Sequence, residues 1–540
     1  MYYLGISGGI TGDFTHDPAA CLIKDNKIIA IAEEERFVRI KHAHGIFPIN
    51  AINFCLKQAG IKLKDVDKIG YYINPNLFFK KIFHPKSLPH WIKCFRMVKY
   101  VPKIFKFNFG YLPKINYIEH HLCHVYSSFP LSGFKKGKCF SIDGVGERTS
   151  TLISSFGNGF EKIKEAYDPN SLGRFYGHFT EWLGFKMNNG EGKVMGLASY
   201  GKSKYDLTKF IRFKDGIHEV KGNTNLMSSG HLYNLIVSKF GDRRIGDIKK
   251  IHKDVAASVQ DKLEEIILKM VEYHQTKNLC LSGGVALNCK MNGKILNSGL
   301  IKDIFIQPVA SDAGCSIGAA VFMAMKYGNN FKKMEHVYFG PEYSNEEIEK
   351  TLKKCKINYE YHDDISGVCA ELLEKQNIIG WFQGRMECGP RALGNRSILA
   401  DPRDVKMKDK INILVKHREQ WRPFCPSILD EDKDEYLVNA YESPFMILTF
   451  EVLEDKVKDI PAVIHVDNTC RPQTVKKDVN PIYYDLIKEF KKLTGIPLIL
   501  NTSFNIRGQP IICKPEEALA MFFSEGMDAL AMGNFLIKKD

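Results

Sequence analysis

Two stretches of this chain begin in the same way, and that repetition constrains the fold more than any other feature. Residues 3–6, 20–23 and 27–32 are short apolar runs separated by Gly-rich and Asp-Asn turns, a pattern that predicts three strands of a meander. Residues 138–143 and 149–155 repeat the strand–glycine–strand opening further along. Helical periodicity predicts helices over 48–59 (stopping at Gly60), 120–129, 251–277 and 313–325, with further strands at 69–73, 115–119, 278–282 and 304–306. Strands alternating with helices specify an α/β fold. The two matching starts predict two similar α/β lobes around a cleft.

The texture changes near residues 340–344. A charged helix is expected over 346–356, followed by strands from 378–382 onward set among Arg- and Pro-containing motifs. A boundary near 345 divides the chain into 1–345 and 346–540, in keeping with the two to four domains expected of 540 residues. Hydrophobic residues make up 44%, enough to bury large cores. The longest apolar candidate, 315–325, falls short of the roughly 20 residues that span a bilayer, so no membrane insertion is expected. The start, MYYLGISGG, lacks the basic region of a signal peptide. Fourteen scattered cysteines without a CxxC pair suggest reduced thiols in a cytoplasmic protein, not a disulfide framework or a structural zinc site.

The net charge of +14 is unevenly spread. Residues 68–118 hold ten Lys/Arg and no Asp or Glu, with Phe78, Phe79, Trp91, Phe95, Tyr100 and Phe107 among them. Cations interleaved with aromatics suit nucleotides, nucleic acid or a membrane surface. The competing reading is a solvated insertion over an apolar core.

Four groups of residues carry chemistry. In HHLCH, His120 and His124 are four apart on a predicted helix, so both imidazoles project from one face and can grip a divalent metal. Asp143 in SIDGVGE and Asp312 in SDAGCSIGAA stand at strand ends and complete a set of two histidines and two carboxylates, which suits iron, manganese or zinc. Gly144, Gly146, and the segment Ser282-Gly283-Gly284-Val285-Ala286-Leu287-Asn288, read as a strand running into a helix, could bring backbone N–H groups to nucleotide phosphate or ribose. His16-Asp17 follows the first strand. His16 could serve as a general base oriented by Asp17, against the reading of a turn-capping Asp with a passenger His. The last group is cationic: Arg385, Arg391 and Arg396 in a Gly/Pro setting, then Lys416, Arg418, Arg422 in WRPF, and Arg471, with Asn501 and Ser503 in NTSFN after an apolar strand at 497–500. Arginine forks bind phosphate bidentately and lysine adds a point charge.

In order along the chain, GISGG, HDPAA, HHLCH, SIDGVGE, EGKVMGLASYG, LSGGVALN, SDAGCSIGAA, GPRALGNRS, KHREQWRPF and NTSFN resemble the O-carbamoyltransferase family that includes the nodulation-factor, cephamycin and tobramycin carbamoyltransferases. The resemblance implies an actin/hexokinase-like N-terminal domain, similar to the tRNA threonylcarbamoyl-transferring protein, and a YrdC-like C-terminal domain. It implies that His120, His124, Asp143 and Asp312 hold a divalent metal, iron(II) by analogy, and that His16 is the catalytic histidine beside the acceptor. It further implies that Lys416, Arg391, Arg422, Arg471 and Ser503 bind carbamoyl phosphate and Mg-ATP, and that Glu191, Gly192, Lys193 and the segment 282–288 (Gly283, Gly284, Asn288) belong to the nucleotide cleft. Carbamoyl phosphate and ATP would form carbamoyl-adenylate, whose carbamoyl group passes to a hydroxyl on a small or medium-sized acceptor, a sugar, a natural product or a nucleotide, with an anionic acceptor one of the expected kinds. A homodimer is one expected assembly, and nucleic acid stays open as a partner. Two readings compete: a nucleic-acid-modifying threonylcarbamoyl-type transferase, and a non-catalytic ATP-binding regulator. The C-terminal motifs weigh against the first and the complete ligand set against the second.

Overall fold

The meander predicted at the N-terminus forms as β1 (Tyr2–Ser7), β2 (Ala19–Lys24) and β3 (Lys27–Glu33) in the computed structural model, which describes residues 1–9, 15–79, 88–221 and 231–539. The side chains of Phe78, Phe79, Trp91 and Phe95 lie outside the described residues. Parallel strands β4 (Lys68–Tyr71) and β5 (Ile115–Tyr117) extend the sheet on the other side of β1, giving the order β3-β2-β1-β4-β5.

The second start builds the same sheet again. β6 (Gly137–Ile142), β7 (Thr149–Phe156) and β8 (Phe160–Tyr167) are antiparallel. After a small hairpin, β9 (Ile211–Lys214) with β10 (Ile217–Val220), the parallel strands β11 (Asn278–Ser282) and β12 (Asp303–Ile306) complete the order β12-β11-β6-β7-β8. In each sheet the first strand in sequence is central, and β1 and β6 end in fully buried residues. β8 is an edge, and its exposed Glu161 and Lys162 discourage pairing with another chain. The two α/β lobes expected from the repeated opening are therefore present as two sheets of one topology.

The helix Asp312–Lys326 follows β12 yet packs on β1, β2 and β4 and on the helix His120–Ser128. Small residues make that approach feasible. A Cβ built at Gly318 would lie 1.6 Å from the Cys123 carbonyl oxygen, and one at Gly5 would lie 1.9 Å from that of Ser316.

The chain divides into two compact units: Met1–Glu35 with His42–Met334, and Arg36–Lys41 with Glu335–Asp540. The second unit is an eight-stranded mixed sheet. In chain order its strands are β13 (Glu360–Tyr361), β14 (Ile379–Phe382), β15 (Arg396–Ala400), β16 (Cys425–Leu429), β19 (Gln473–Val475), β20 (Leu498–Ser503), β21 (Ala529–Met532) and β22 (Phe535–Lys538), and a separate pair is formed by β17 (Phe450–Glu451) and β18 (Thr469–Cys470). The sheet order is β13-β22-β21-β14-β15-β20-β16-β19. The helices Ile365–Glu374 and Pro481–Thr494 cover it through a core that includes Leu373, Trp381, Tyr483, Ile487, Phe490 and Ile499. Residues 36–41 are built into this unit: Arg36 donates to the Gly389 carbonyl (2.7 Å), Arg39 to those of Ile511 (2.7 Å) and Pro510 (3.0 Å), and Phe37 packs on Met386, Ala392, Ile511 and Cys513.

These contacts predict that Gly318→Ala destabilises the protein by about 3 kcal/mol, because helix and backbone carbonyl must separate. Gly192→Ala, whose added Cβ meets nothing within 4 Å inside a helix, should be neutral or slightly stabilising. Urea denaturation followed by circular dichroism measures both, and equal midpoints for the two variants would refute the packing argument.

Candidate functional sites

In the first unit, His120 and His124 sit one turn apart on the helix His120–Ser128, both buried, with their Nε2 atoms 3.1 Å apart. Glu147 supplies the helix cap that the local sequence lacks, since its carboxylate accepts the His120 amide (3.1 and 3.2 Å) and the Asn74 amide (2.6 Å). Burial pushes Glu147 up to about 7. A Cβ at Gly146 would press on the His120 side chain at 2.8 Å, so glycine there lets the helix start close to the end of β6.

Asp143 leaves β6 at that point. Its Oδ2 lies 3.1 Å from His120 Nε2 and 3.4 Å from His124 Nε2, and its Oδ1 accepts the Gly284 amide at 3.1 Å. Asp312, the first residue of its helix, brings Oδ1 to 3.7 and 3.9 Å from the same two nitrogens. One ligand atom from each of His120, His124, Asp143 and Asp312 lies within 4.8 Å of the others. Two carboxylates and two imidazole nitrogens converging in a buried space are mutually satisfied only by protons or a cation, so the residues fit a divalent metal. His121 is excluded from the set by its own bonds: Nδ1 to Ser141 Oγ (2.7 Å) and Nε2 to the Thr149 carbonyl (2.9 Å).

The electrostatics agree. Burial alone would depress His120, but Asp312 and Asp143 overcome it and raise its pKa to about 9. His16 behaves likewise: burial opposes the charge, and Asp312, Asp17 and Asp143 raise it to about 10. Asp143 is held well below the usual carboxylate range, since the bonds from His120 and His124 outweigh burial.

His16 is braced by residues beyond its neighbour. Asp17 Oδ2 lies 3.2 Å from His16 Nδ1, and Asp17 Oδ1 lies 2.7 Å from His42 Nδ1. The Asp17 amide donates to the His42 carbonyl (2.9 Å), the Gly45 amide to the Thr15 carbonyl (3.1 Å), and the His42 amide to Glu35 (2.7 Å). Both Asp17 and His42 adopt left-handed backbone, φ 51° and 62°. Sequence reasoning missed His42. Its only signal was the turn-like KHAHG around it.

The glycine segment departs from expectation. Gly283 and Gly284 lead from β11 into a short 3-10 turn, Gly284–Leu287, and the helix Cys289–Leu296 begins only after Asn288. Gly283 has φ 84° and a Cβ there would meet the Ile142 carbonyl at 2.3 Å, so the pair lies tight against β6 and spends one amide on Asp143. Asn288 caps the helix by accepting the Met291 amide, and it exchanges two bonds with Gln260 (2.9 and 3.0 Å). Glu191 starts its own helix, Glu191–Ala198, is raised by burial, and accepts the Asn188 amide at 2.8 Å; Lys193 lies 5.3 Å from the Phe185 ring.

In the second unit, Lys416 is buried and its ammonium faces four oxygens: the Ser503 carbonyl (2.7 Å) and Oγ (3.3 Å), and the Asn505 carbonyl (2.6 Å) and Oδ1 (2.8 Å). Burial, with Arg418 and Arg422 nearby, pushes its pKa well below the lysine range. Burial and Arg422 bring Arg418 down to about 9, and Arg422 is lowered in turn by burial, Arg507 and Arg471 despite Glu419. Arg471 reaches Cys425 Sγ at 2.9 Å. A buried lysine gathered with half-buried arginines in this way could hold an anion.

Not every arginine of GPRALGNRS serves that site. Arg396 is fully buried, lies 3.7 Å over the Phe382 ring, and donates to the carbonyls of Gln383, Gly384, Asn395 and Pro341. Arg385 donates to the Phe339 and Gly340 carbonyls. These two hold the loop, together with buried Glu387, which accepts the amides of Leu393, Asn395 and Arg396. Asn501 is committed in the same way, its amide facing the Ala392 carbonyl, Ser427 Oγ and Gln473 Oε1. Arg391 is partly buried in the same loop.

The first cluster predicts pH-linked cation binding. His120 is raised above 6.5 to about 9 without an ion. Its pairing with the carboxylates therefore stabilises fully below about 6.5 and is lost as pH rises through about 9. A divalent ion must displace that proton, so apparent affinity should rise by up to about tenfold per pH unit across that window. Calorimetry in buffers of different ionisation enthalpy would detect the proton release. His124→Ala should abolish binding, while His121→Ala should keep it; loss in both variants would contradict the assignment.

Residues 7–321 match the family model described as "Carbamoyltransferase N-terminus", and residues 370–539 match "Carbamoyltransferase C-terminus". Nodulation protein NolNO of Sinorhizobium fredii is 38% identical, the match covering 100% of this chain and 83% of that protein. Nodulation protein NolO of Bradyrhizobium diazoefficiens is 39% identical over 78% of this chain and 79% of its own length.

Proposed function

Because the chain belongs to the carbamoyltransferase family, we propose that it transfers a carbamoyl group from carbamoyl phosphate to an acceptor hydroxyl in two chemically separate steps, one in each unit. The observation that carries this reading is the opposite character of the two buried clusters: cations gathered around Lys416, and carboxylates with imidazoles gathered around Asp143. An activation step that handles several phosphates needs the first kind of site, and a carbonyl transfer assisted by a cation needs the second.

In the second unit, which on this reading is YrdC-like, water cleaves carbamoyl phosphate to carbamate and phosphate. The carbamate oxygen then attacks the α-phosphorus of Mg-ATP, forming carbamoyl-adenylate and releasing pyrophosphate. Arg391, Arg418, Arg422 and Arg471 hold the phosphates. Lys416, through its bonds to Ser503 and Asn505, holds the turn after β20 in place, and a bound phosphate would offset the burial and the neighbouring arginines that disfavour its charge. Positioning and preorganised charge are the main demands of such chemistry.

In the first unit, read as actin/hexokinase-like from its duplicated sheet, carbamoyl-adenylate lies by the segment 282–288 and Glu191–Lys193. A divalent cation on His120, His124, Asp143 and Asp312, iron(II) by family analogy, would supply Lewis acidity at the carbamoyl carbonyl. Asp17, accepting Nδ1–H of His16, leaves Nε2 with the lone pair, so His16 takes the proton from the acceptor hydroxyl there. The hydroxyl oxygen bonds to the carbamoyl carbon and AMP departs. His42 fixes Asp17, and cation charge beside Asp143 and Asp312 offsets the carboxylates that otherwise keep His16 protonated.

The two steps should separate on mutation. His120→Ala should lose carbamoyl transfer while pyrophosphate release dependent on carbamoyl phosphate continues. Arg471→Ala or Arg422→Ala should slow pyrophosphate release by about 10²–10³. If both kinds of variant lost the same partial reaction, the division would be wrong.

The brace on His16 can be tested separately. His42→Ala should cut turnover by about 10–100-fold with acceptor KM nearly unchanged, and His42→Asn, whose amide can replace the Nδ1–H donor, should restore most of it. Equal rates for the two variants would remove His42 from the mechanism.

A further inference from the structure

From the exposed side of the acid-free stretch we infer that this protein docks peripherally on an anionic phospholipid surface. The helix Leu88–Phe109 uses Met97, Val101 and Phe105, each four residues apart and buried, to face the first unit, where Phe105 meets Phe47 edge-on at 5.5 Å. That inner face accounts for the apolar residues a helix needs to pack.

The outer face has no such explanation. Lys99, Lys103 and Lys106 are exposed along it, and Phe107 stands 88% exposed among them. At Gly110 (φ 67°) the chain turns and presents Tyr111 and Leu112, the latter 56% exposed, followed by exposed Lys114. Large apolar side chains ringed by lysines and free of any Asp or Glu from 68 to 118 match the interface of a bilayer. There the rings and Leu112 enter the acyl boundary while lysine stems extend their charges to lipid phosphates.

A nucleic acid shares the negative charge but fits the side chains less well. Leu112 and Val98, also exposed, cannot stack on bases. Four of the five cations from 96 to 114 are lysines, strongly hydrated point charges, and Arg96 is the one arginine able to stack. Among the described residues no helix is long and apolar enough to cross a membrane, and the contact proposed is a surface one.

The test is sedimentation of the full chain with phosphatidylcholine vesicles containing about 30% phosphatidylglycerol, with pure phosphatidylcholine vesicles in parallel. Binding should be at least about tenfold tighter to the anionic vesicles and weaken with added salt. Phe107→Ser with Leu112→Ser, which keeps every charge, and Lys103→Glu with Lys106→Glu, which keeps the apolar tip, should each reduce it by about tenfold. An unchanged urea midpoint by circular dichroism would show that the first unit of both variants folds. No binding to the anionic vesicles, equal binding to both kinds, or no effect of either variant would overturn the inference. So would salt-sensitive binding to single-stranded RNA through these residues without vesicle binding.

Discussion

Asp143 is shared three ways, and the first unit is organised around that sharing. One carboxylate oxygen takes the Gly284 amide and the other faces His120 and His124, so a single side chain ties the end of β6, the start of a helix and the loop after β11 to one point. The backbone around it is fitted to the task. Ser171 Oγ donates to the Gly144 carbonyl at 2.6 Å, and a Cβ at Gly173 would strike the Asp143 carbonyl at 2.7 Å. Removing the carboxylate would leave two buried imidazoles and an amide facing one another, a larger cost than the loss of one hydrogen bond.

The two units solve opposite electrostatic problems by similar means. Each buries like charges together, which folding alone disfavours, and each assigns a few internal partners to keep them there. Around Lys416 those partners are neutral oxygens of Ser503 and Asn505 and the acid Glu419, 3.8 Å from Arg422 and 3.4 Å from Arg507. Around Asp143 they are the histidines themselves and backbone amides. On the proposed reading, an anionic guest would complete the arginine cluster and a cation the carboxylate cluster. Such preorganisation keeps the reorganisation cost out of the reaction step.

Much of this was legible in the sequence where the signal was local. His120 and His124 are four residues apart on one helix, and Asp143 directly follows an apolar strand, whereas Asp312, read as a strand-end acid, opens the helix after β12. The duplicated lobe was readable because the same strand–glycine–strand text occurs twice. Other assignments depended on where distant segments meet. Arg385, Arg391 and Arg396 share one motif, yet Arg396 is consumed by carbonyls of its own loop and by the Phe382 ring. His42 matters because a left-handed turn lays it across Asp17, and Glu147 because it caps a helix that begins far upstream. Spacing along the chain contains neither relation. Arg36–Lys41 gives no periodic signal either, although its arginines and Phe37 are built into the second unit.

The geometry of the carboxylate–histidine cluster finally depends on residues without side chains. Asp312 opens a helix whose third and seventh residues, Gly314 and Gly318, touch carbonyls: an added Cβ would lie 1.9 Å from Val309 O and 1.6 Å from Cys123 O. Cys123 is on the helix that carries His120 and His124. The separation between Asp312 and the histidines is therefore set by backbone against backbone, with no flexible side chain between to absorb error. A methyl group at Gly318 would act on the cluster by moving one ligand-bearing helix away from the other, although it touches none of the four candidate ligands. Ligand spacing within a few tenths of an ångström is what a small cation demands. In this unit the spacing between the two helices that carry the candidate ligands is set by close-packed glycines more than by the candidate ligands' own bonds.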